Sequence, residues 1–67
     1  MSDSEALALY SIHREKLIGY ANKIVRDSYR AEDIVQDAFL KFRKAKRSAE
    51  EDHPSAYLYR IVRNLAL

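Results

Sequence analysis

The stretch Arg30-Ala31-Glu32-Asp33-Ile34-Val35-Gln36-Asp37-Ala38-Phe39-Leu40-Lys41-Phe42 decides how this chain folds. Ala31, Val35, Ala38, Phe42 and, just beyond, Ala45 recur at intervals of four and three, with Ile34 and Phe39 flanking them. That period defines an amphipathic helix with one wide stripe to bury. At about 100° per residue, Asp33, Gln36, Asp37, Leu40 and Arg43 gather on the opposite face. An apolar Leu amid acids and an amide suits a docking surface better than a plain solvated face.

Outward from this helix the chain is short and helix-rich. Its 67 residues make one domain, 1–67, too small for a large enclosed cavity, so a binding module is favoured over an enzyme. One Gly and one Pro among many Leu, Ile, Ala, Arg, Lys and Glu leave few turns and almost no support for strands. The expected fold is all-α, a compact bundle of about three helices with a charged loop before the last. Without Cys, and with only His13 and His53 lacking further ligands at helical spacing, no metal site or disulfide is expected. No nucleophile, base or Gly-rich phosphate loop suggests chemistry, so neither catalysis nor a cofactor is expected. No apolar run approaches the roughly 20 residues of a membrane span. Asp3 and Glu5 do not fit a signal peptide either, so the cytosol is the expected location.

Before the central helix, Ser2, Asp3 and Ser4 can each cap a first helix, which should run from about Ser4 to Arg26. Leu7, Tyr10, Leu17, Ala21 and Ile24, supported by Ile18 and Val25, supply its buried side. Gly19 lies inside it and marks a kink or a close helix contact. Asp27 or Ser28 caps the second helix, whose early Glu32 and Asp33 are placed to favour the dipole. So short a link implies antiparallel neighbours.

The second helix should fade near Arg47. Lys41, Arg43, Lys44, Lys46 and Arg47 form a basic run, followed by acidic Glu50, Glu51 and Asp52, within a formal net charge of +2. The basic run reads equally as a solvated helix end favoured by the dipole and as a phosphate-facing patch. His53-Pro54 opens a third helix, Pro54 to Leu67, because Pro is preorganised for the first helical position. Leu58, Ile61, Val62 and Leu65 form its stripe, while Arg60 and Arg63 face outward between Tyr59 and the pair Tyr57 and Asn64. Aromatic, guanidinium and amide groups together suit single-stranded nucleic acid; alternatively, Tyr57 and Tyr59 merely cover the edge of the core. The last helix meets the end of the chain without a C-cap, as expected of a fragment of something longer.

The run Ala31-Glu32-Asp33-Ile34-Val35-Gln36-Asp37-Ala38-Phe39, with Ala56-Tyr57-Leu58-Tyr59-Arg60-Ile61-Val62-Arg63-Asn64-Leu65-Ala66 beyond it, resembles region two of the bacterial extracytoplasmic-function (ECF) sigma factors. The resemblance extends from Leu9 onward. The Arg-Ala-Glu-Asp opening and the Ile-Val-Arg-Asn-Leu-Ala ending are particularly similar to the iron-starvation branch. The resemblance implies that the second helix docks on the clamp helices of the largest subunit of core RNA polymerase through Asp33, Gln36 and Asp37, with Leu40 and Arg43 one and two turns on. It further implies that the Ser48 to Ser55 loop, with Tyr57, Tyr59, Arg60, Arg63 and Asn64, opens the minus-ten promoter element and captures a flipped base of the non-template strand. The family's chain continues into a linker and a second domain that reads the minus-thirty-five element, so 1–67 would be part of a two-domain factor. Many relatives answer to a membrane-anchored anti-sigma factor.

Acidic Glu50, Glu51 and Asp52 depart from what a phosphate-facing loop would carry. Two other readings stand beside the resemblance. One is a helical protein-binding adaptor without DNA contact, and the other a helix-turn-helix reader of duplex DNA, disfavoured by the long charged connection before the last helix.

Overall fold

The computed structural model describes residues 3–44 and 53–67, residue 3 in its backbone only. They form three helices: α1 Asp3–Val25, α2 Ser28–Lys44 and α3 Pro54–Ala66. Each packs on the other two, and no strand occurs among the described residues, as an all-α reading requires. Ala45, Lys46, Arg47, the acidic connection through Asp52, and Ser2 lie outside the described residues.

The reversal between α1 and α2 takes two residues. The Arg26 N–H still donates to the Asn22 carbonyl at 2.8 Å, but Arg26 turns into the left-handed region at φ 57° and ends the helix. Glycine usually fills that position, because a Cβ there costs about 1–2 kcal/mol. Asp27 then caps α2: its Oδ1 accepts from the backbone N–H of Tyr29 at 3.0 Å and of Arg30 at 3.3 Å, and its carbonyl takes the first helical bond from Ala31. Of the two cap candidates, Asp27 therefore acts. Glu32 and Asp33 lie beyond the first turn, where the dipole effect has faded, which corrects the expectation that they sit favourably on it.

The core is made of Ala6, Leu17 and Ala21 from α1, Ala31, Val35, Ala38 and Phe42 from α2, and Leu58 and Val62 from α3. The α2 stripe lies where its spacing placed it, with Ile34 and Phe39 half-buried at its edges. The α1 stripe begins one residue earlier than its pattern suggested. Ala6, Tyr10, His13, Leu17, Ala21 and Ile24 line up at steps of four and three, all buried or half-buried, and Leu7 falls about 100° away, 54% exposed. On α3, Leu58 and Val62 are buried as expected, Ile61 and Leu65 are only half-buried, and Ala66 joins the buried side.

Four of the nine core side chains are Ala, so larger rings close the rim. Tyr10 stacks on Phe39 with centroids 4.3 Å apart, and Tyr57 lies tilted against Phe42 at 5.9 Å. Tyr59 meets His13 at 5.9 Å and Tyr20 at 5.6 Å, both edge-on. Such pairs add about 0.5–1.5 kcal/mol each beyond burial. An ion pair that links α1 to α2, Arg14 to Glu32 at 3.4 Å, is over 40% exposed on both sides and contributes at most about 1 kcal/mol.

Gly19 is exposed, has no positive φ, and a Cβ built on it meets nothing within 4 Å, so it marks no close helix contact. Gly19→Ala should therefore stabilise the chain by about 1 kcal/mol, raising the melting temperature by roughly 4–8 °C. Asp27→Ala should cost about 0.5–2 kcal/mol through the lost cap. Phe42→Ala, at a site 1% exposed, should cost about 3–5 kcal/mol. Urea titrations followed by circular dichroism check all three.

Candidate functional site

Two outward faces collect the polar side chains that the core does not use. On α2, Asp33, Gln36, Asp37, Leu40 and Arg43 are all exposed, opposite the buried stripe. Asp33 and Asp37 stand one turn apart, where like charges oppose helix formation by a few tenths of a kcal/mol. Neither carboxylate is ion-paired among the described residues. Leu40, 47% exposed, borders a shallow hollow of about 270 Å³ lined by Asp37, Leu40, Lys41 and Lys44. The Arg43 guanidinium lies 5.7 Å from the centre of the Phe39 ring, a cation–π contact that holds it at the end of this row. The face thus runs from acid to amide to apolar to base along one side of a rigid helix, a sequence of groups that can be read by a complementary partner helix.

On α3 the expected residues divide. Arg60, Arg63 and Asn64 are exposed, and their spacing of three and four residues makes them neighbours on one side of the helix. Tyr57 and Tyr59 are half-buried and face inward neighbours, Phe42 for the first and His13 and Tyr20 for the second. Ser55, in the first turn, is half-buried. The other residues expected to meet a strand, 48 to 52, lie outside the described residues. His53 precedes Pro54 without a side-chain cap bond, and its carbonyl accepts the first helical bond from Tyr57.

The α1–α2 corner carries exposed groups that the sequence reading did not single out. Lys23, Arg26 and Arg30 are exposed there, and Tyr29 is 83% exposed. A hollow of about 660 Å³ is lined by Asn22, Lys23, Arg26 and Ser28. A warning was present in the sequence: Tyr29 stands nearly opposite the Ala31-Val35-Ala38-Phe42 stripe on the wheel, so its ring has no core to enter. Among the described residues no group of three His, Asp or Glu side chains could hold a metal ion, and no helix is long and apolar enough to cross a membrane.

Comparison with known proteins yields a family match. The family described as Sigma-70 region 2 matches residues 9–67, nearly the whole chain, including all of α2 and α3. Searches of curated proteins and of solved structures returned no match. The matched span holds both outward faces on a three-helix frame, and the chain belongs to the Sigma-70 region 2 family.

Proposed function

We propose that the chain is the polymerase-binding and promoter-opening domain of an ECF sigma factor, working in the cytosol as one part of a longer two-domain protein. Region 2 of a sigma factor binds core RNA polymerase and recognises the minus-ten element, and membership of the family brings that general role with it. The finer reading assigns Asp33, Gln36, Asp37, Leu40 and Arg43 to the clamp helices of the largest polymerase subunit. The observation that carries it is the pair of unneutralised carboxylates, one turn apart, beside an exposed Leu on the face opposite the core. Like charges at that spacing oppose the helix, and Leu40 leaves about half of its surface, 47%, open to solvent. A basic and apolar partner surface would resolve both at once.

Arg60, Arg63 and Asn64, with Ser55, Tyr57 and Tyr59, are assigned to the non-template strand of the minus-ten element. Arg60 and Arg63 suit phosphates, and Asn64 offers both donor and acceptor to a base edge. Tyr57 and Tyr59 present only their outer parts, which suits walls of a base pocket better than free stacking platforms. Their inward packing is also what favours the second reading, a protein-binding adaptor in which α3 is scaffold. Control by an anti-sigma factor, and kinship with the iron-starvation branch through the Arg30-Ala31-Glu32-Asp33 and Ile61-Val62-Arg63-Asn64-Leu65-Ala66 runs, belong to the same proposal.

Two experiments separate the readings. Asp33→Ala and Gln36→Ala should weaken capture of core polymerase while shifting stability by no more than about 0.5 kcal/mol, because both sites are exposed; full-strength capture by both variants would remove the docking half. Arg63→Ala should lower affinity for a single-stranded minus-ten oligonucleotide and flatten its log-log salt dependence by about 0.7, whereas Asn64→Ala should change sequence preference more than slope. An adaptor would show neither effect.

A further inference from the structure

The outer side of α1 is used by neither face described above. At about 100° per residue, Glu5, Ala8, Ile12, Lys16, Gly19 and Lys23 fall within about 40° of one line along the helix, and all six are exposed. The line lies opposite the Ala6, Tyr10, Leu17 and Ala21 side, through which α1 packs on α2 and α3. Ile12 stands at its middle with 74% of its surface open. A single exposed Ile carries no meaning by itself; the order of the groups on either side of it does.

Glu5 lies seven residues before Ile12 and Gly19 seven residues after it, while Ala8 and Lys16 lie four before and four after. When two α1 helices are laid antiparallel about a two-fold axis at Ile12, residues equally far before and after it face each other. Ile12 then meets its own copy, and Ala8 meets Lys16 of the second copy, whose aliphatic stem can lie along the small side chain. Glu5 meets Gly19. With no side chain at Gly19, the Glu5 carboxylate enters a gap flanked by Lys16 and Lys23, three residues before it and four after, on the same side of the helix. Those lysines start about 4.5 and 6 Å along the axis from Glu5, within reach of charge-assisted hydrogen bonds. A parallel pairing would instead oppose Glu5 to Glu5 and each Lys to itself, so the charges select one orientation. Gly19 also gains a reason that the single chain lacks. It has no positive φ, nothing lies within 4 Å of a Cβ built on it, and a Gly inside a helix weakens it relative to Ala.

We propose that the outer row of α1 is a self-association surface, on which a second copy of this chain pairs antiparallel about Ile12 with Glu5 of each copy held between Lys16 and Lys23 of the other. The row spans about 27 Å of one helix, a contact at the small end of interface sizes, so the dimer is weak and forms as concentration rises. Because the row points away from α2 and α3, pairing leaves the Asp33 to Arg43 face and the Arg60, Arg63 and Asn64 face uncovered. It does not depend on what either of them binds.

The test is sedimentation equilibrium of the 67-residue chain. Its weight-average mass should rise from 7.8 kDa towards twice that value over about 10 µM to 1 mM. Ile12→Glu should abolish the rise while leaving the melting temperature of the dilute chain nearly unchanged, as an exposed site allows. Gly19→Ala should raise that melting temperature and yet weaken association, two effects of opposite sign that a role confined to the single chain would not produce. Glu5→Lys alone, and Lys16→Glu combined with Lys23→Glu, should each remain monomeric, because like charges then meet. Mixed in equal amounts, these two charge variants should pair again. A parent chain that stays at 7.8 kDa throughout would overturn the proposal and leave the row to solvent or to a different protein. So would a dimer that survives Ile12→Glu, or charge variants that fail to pair when mixed.

Discussion

Closure of a very small core is the constraint on which the rest of this structure depends. The buried cluster holds four Ala among nine side chains, and its largest members are Phe42, Leu17, Leu58, Val35 and Val62. Ala in facing positions lets helices approach closely, but it contributes little apolar area, so the seal must come from the rim. Tyr10 on Phe39, Tyr57 on Phe42, and Tyr59 between His13 and Tyr20 supply it, joining all three helices by ring contacts. The inward parts of these rings are thereby engaged in holding the fold.

That commitment orders the surface. With its apolar side used in the core, α2 carries Asp33, Gln36, Asp37, Leu40 and Arg43 on its outer side, and α3 likewise carries Arg60, Arg63 and Asn64 outward. Rigidity matters to both rows. A side chain on a helix whose opposite face is locked into a core keeps its position relative to its neighbours, and preorganised rows of this kind lose little entropy when a partner arrives. The Arg43 guanidinium over Phe39 extends the same logic from the core outward, since the ring that seals the rim also fixes a cation at the end of the α2 row.

Much of this was legible in the chain itself. The α2 stripe, its opposite face and the three-helix arrangement followed from a period of 3.6 applied to a segment where apolar and polar residues separate cleanly. On α1 the separation is poor: Leu7 and Ile12 are exposed while Ala6 and His13 turn inward, so apolar identity alone misplaced the start of the stripe. Wheel position would have put it right. The inward packing of Tyr57 and Tyr59 was stated only as an alternative, because which ring finds a neighbour depends on how α3 crosses the other two helices, and a local pattern does not encode a crossing. The corner was missed for a different reason. Lys23, Arg26, Tyr29 and Arg30 straddle two helices, and only a reversal as tight as the one at Arg26 brings them to one end of the molecule.

No polar or charged side chain is buried among the described residues. The described core therefore has no internal electrostatics for ions to screen, and the half-exposed Arg14 to Glu32 pair is too weak to matter much. Ionic strength becomes a control that acts on one property at a time. At about 0.1 M the Debye length is already near 10 Å, and contacts between cationic side chains and phosphates loosen steeply over the next few-fold rise in salt. Apolar burial persists under the same conditions, and sulfate or phosphate salts strengthen it. A domain built this way can release a bound polyanion and remain folded, ready to engage again when the salt falls.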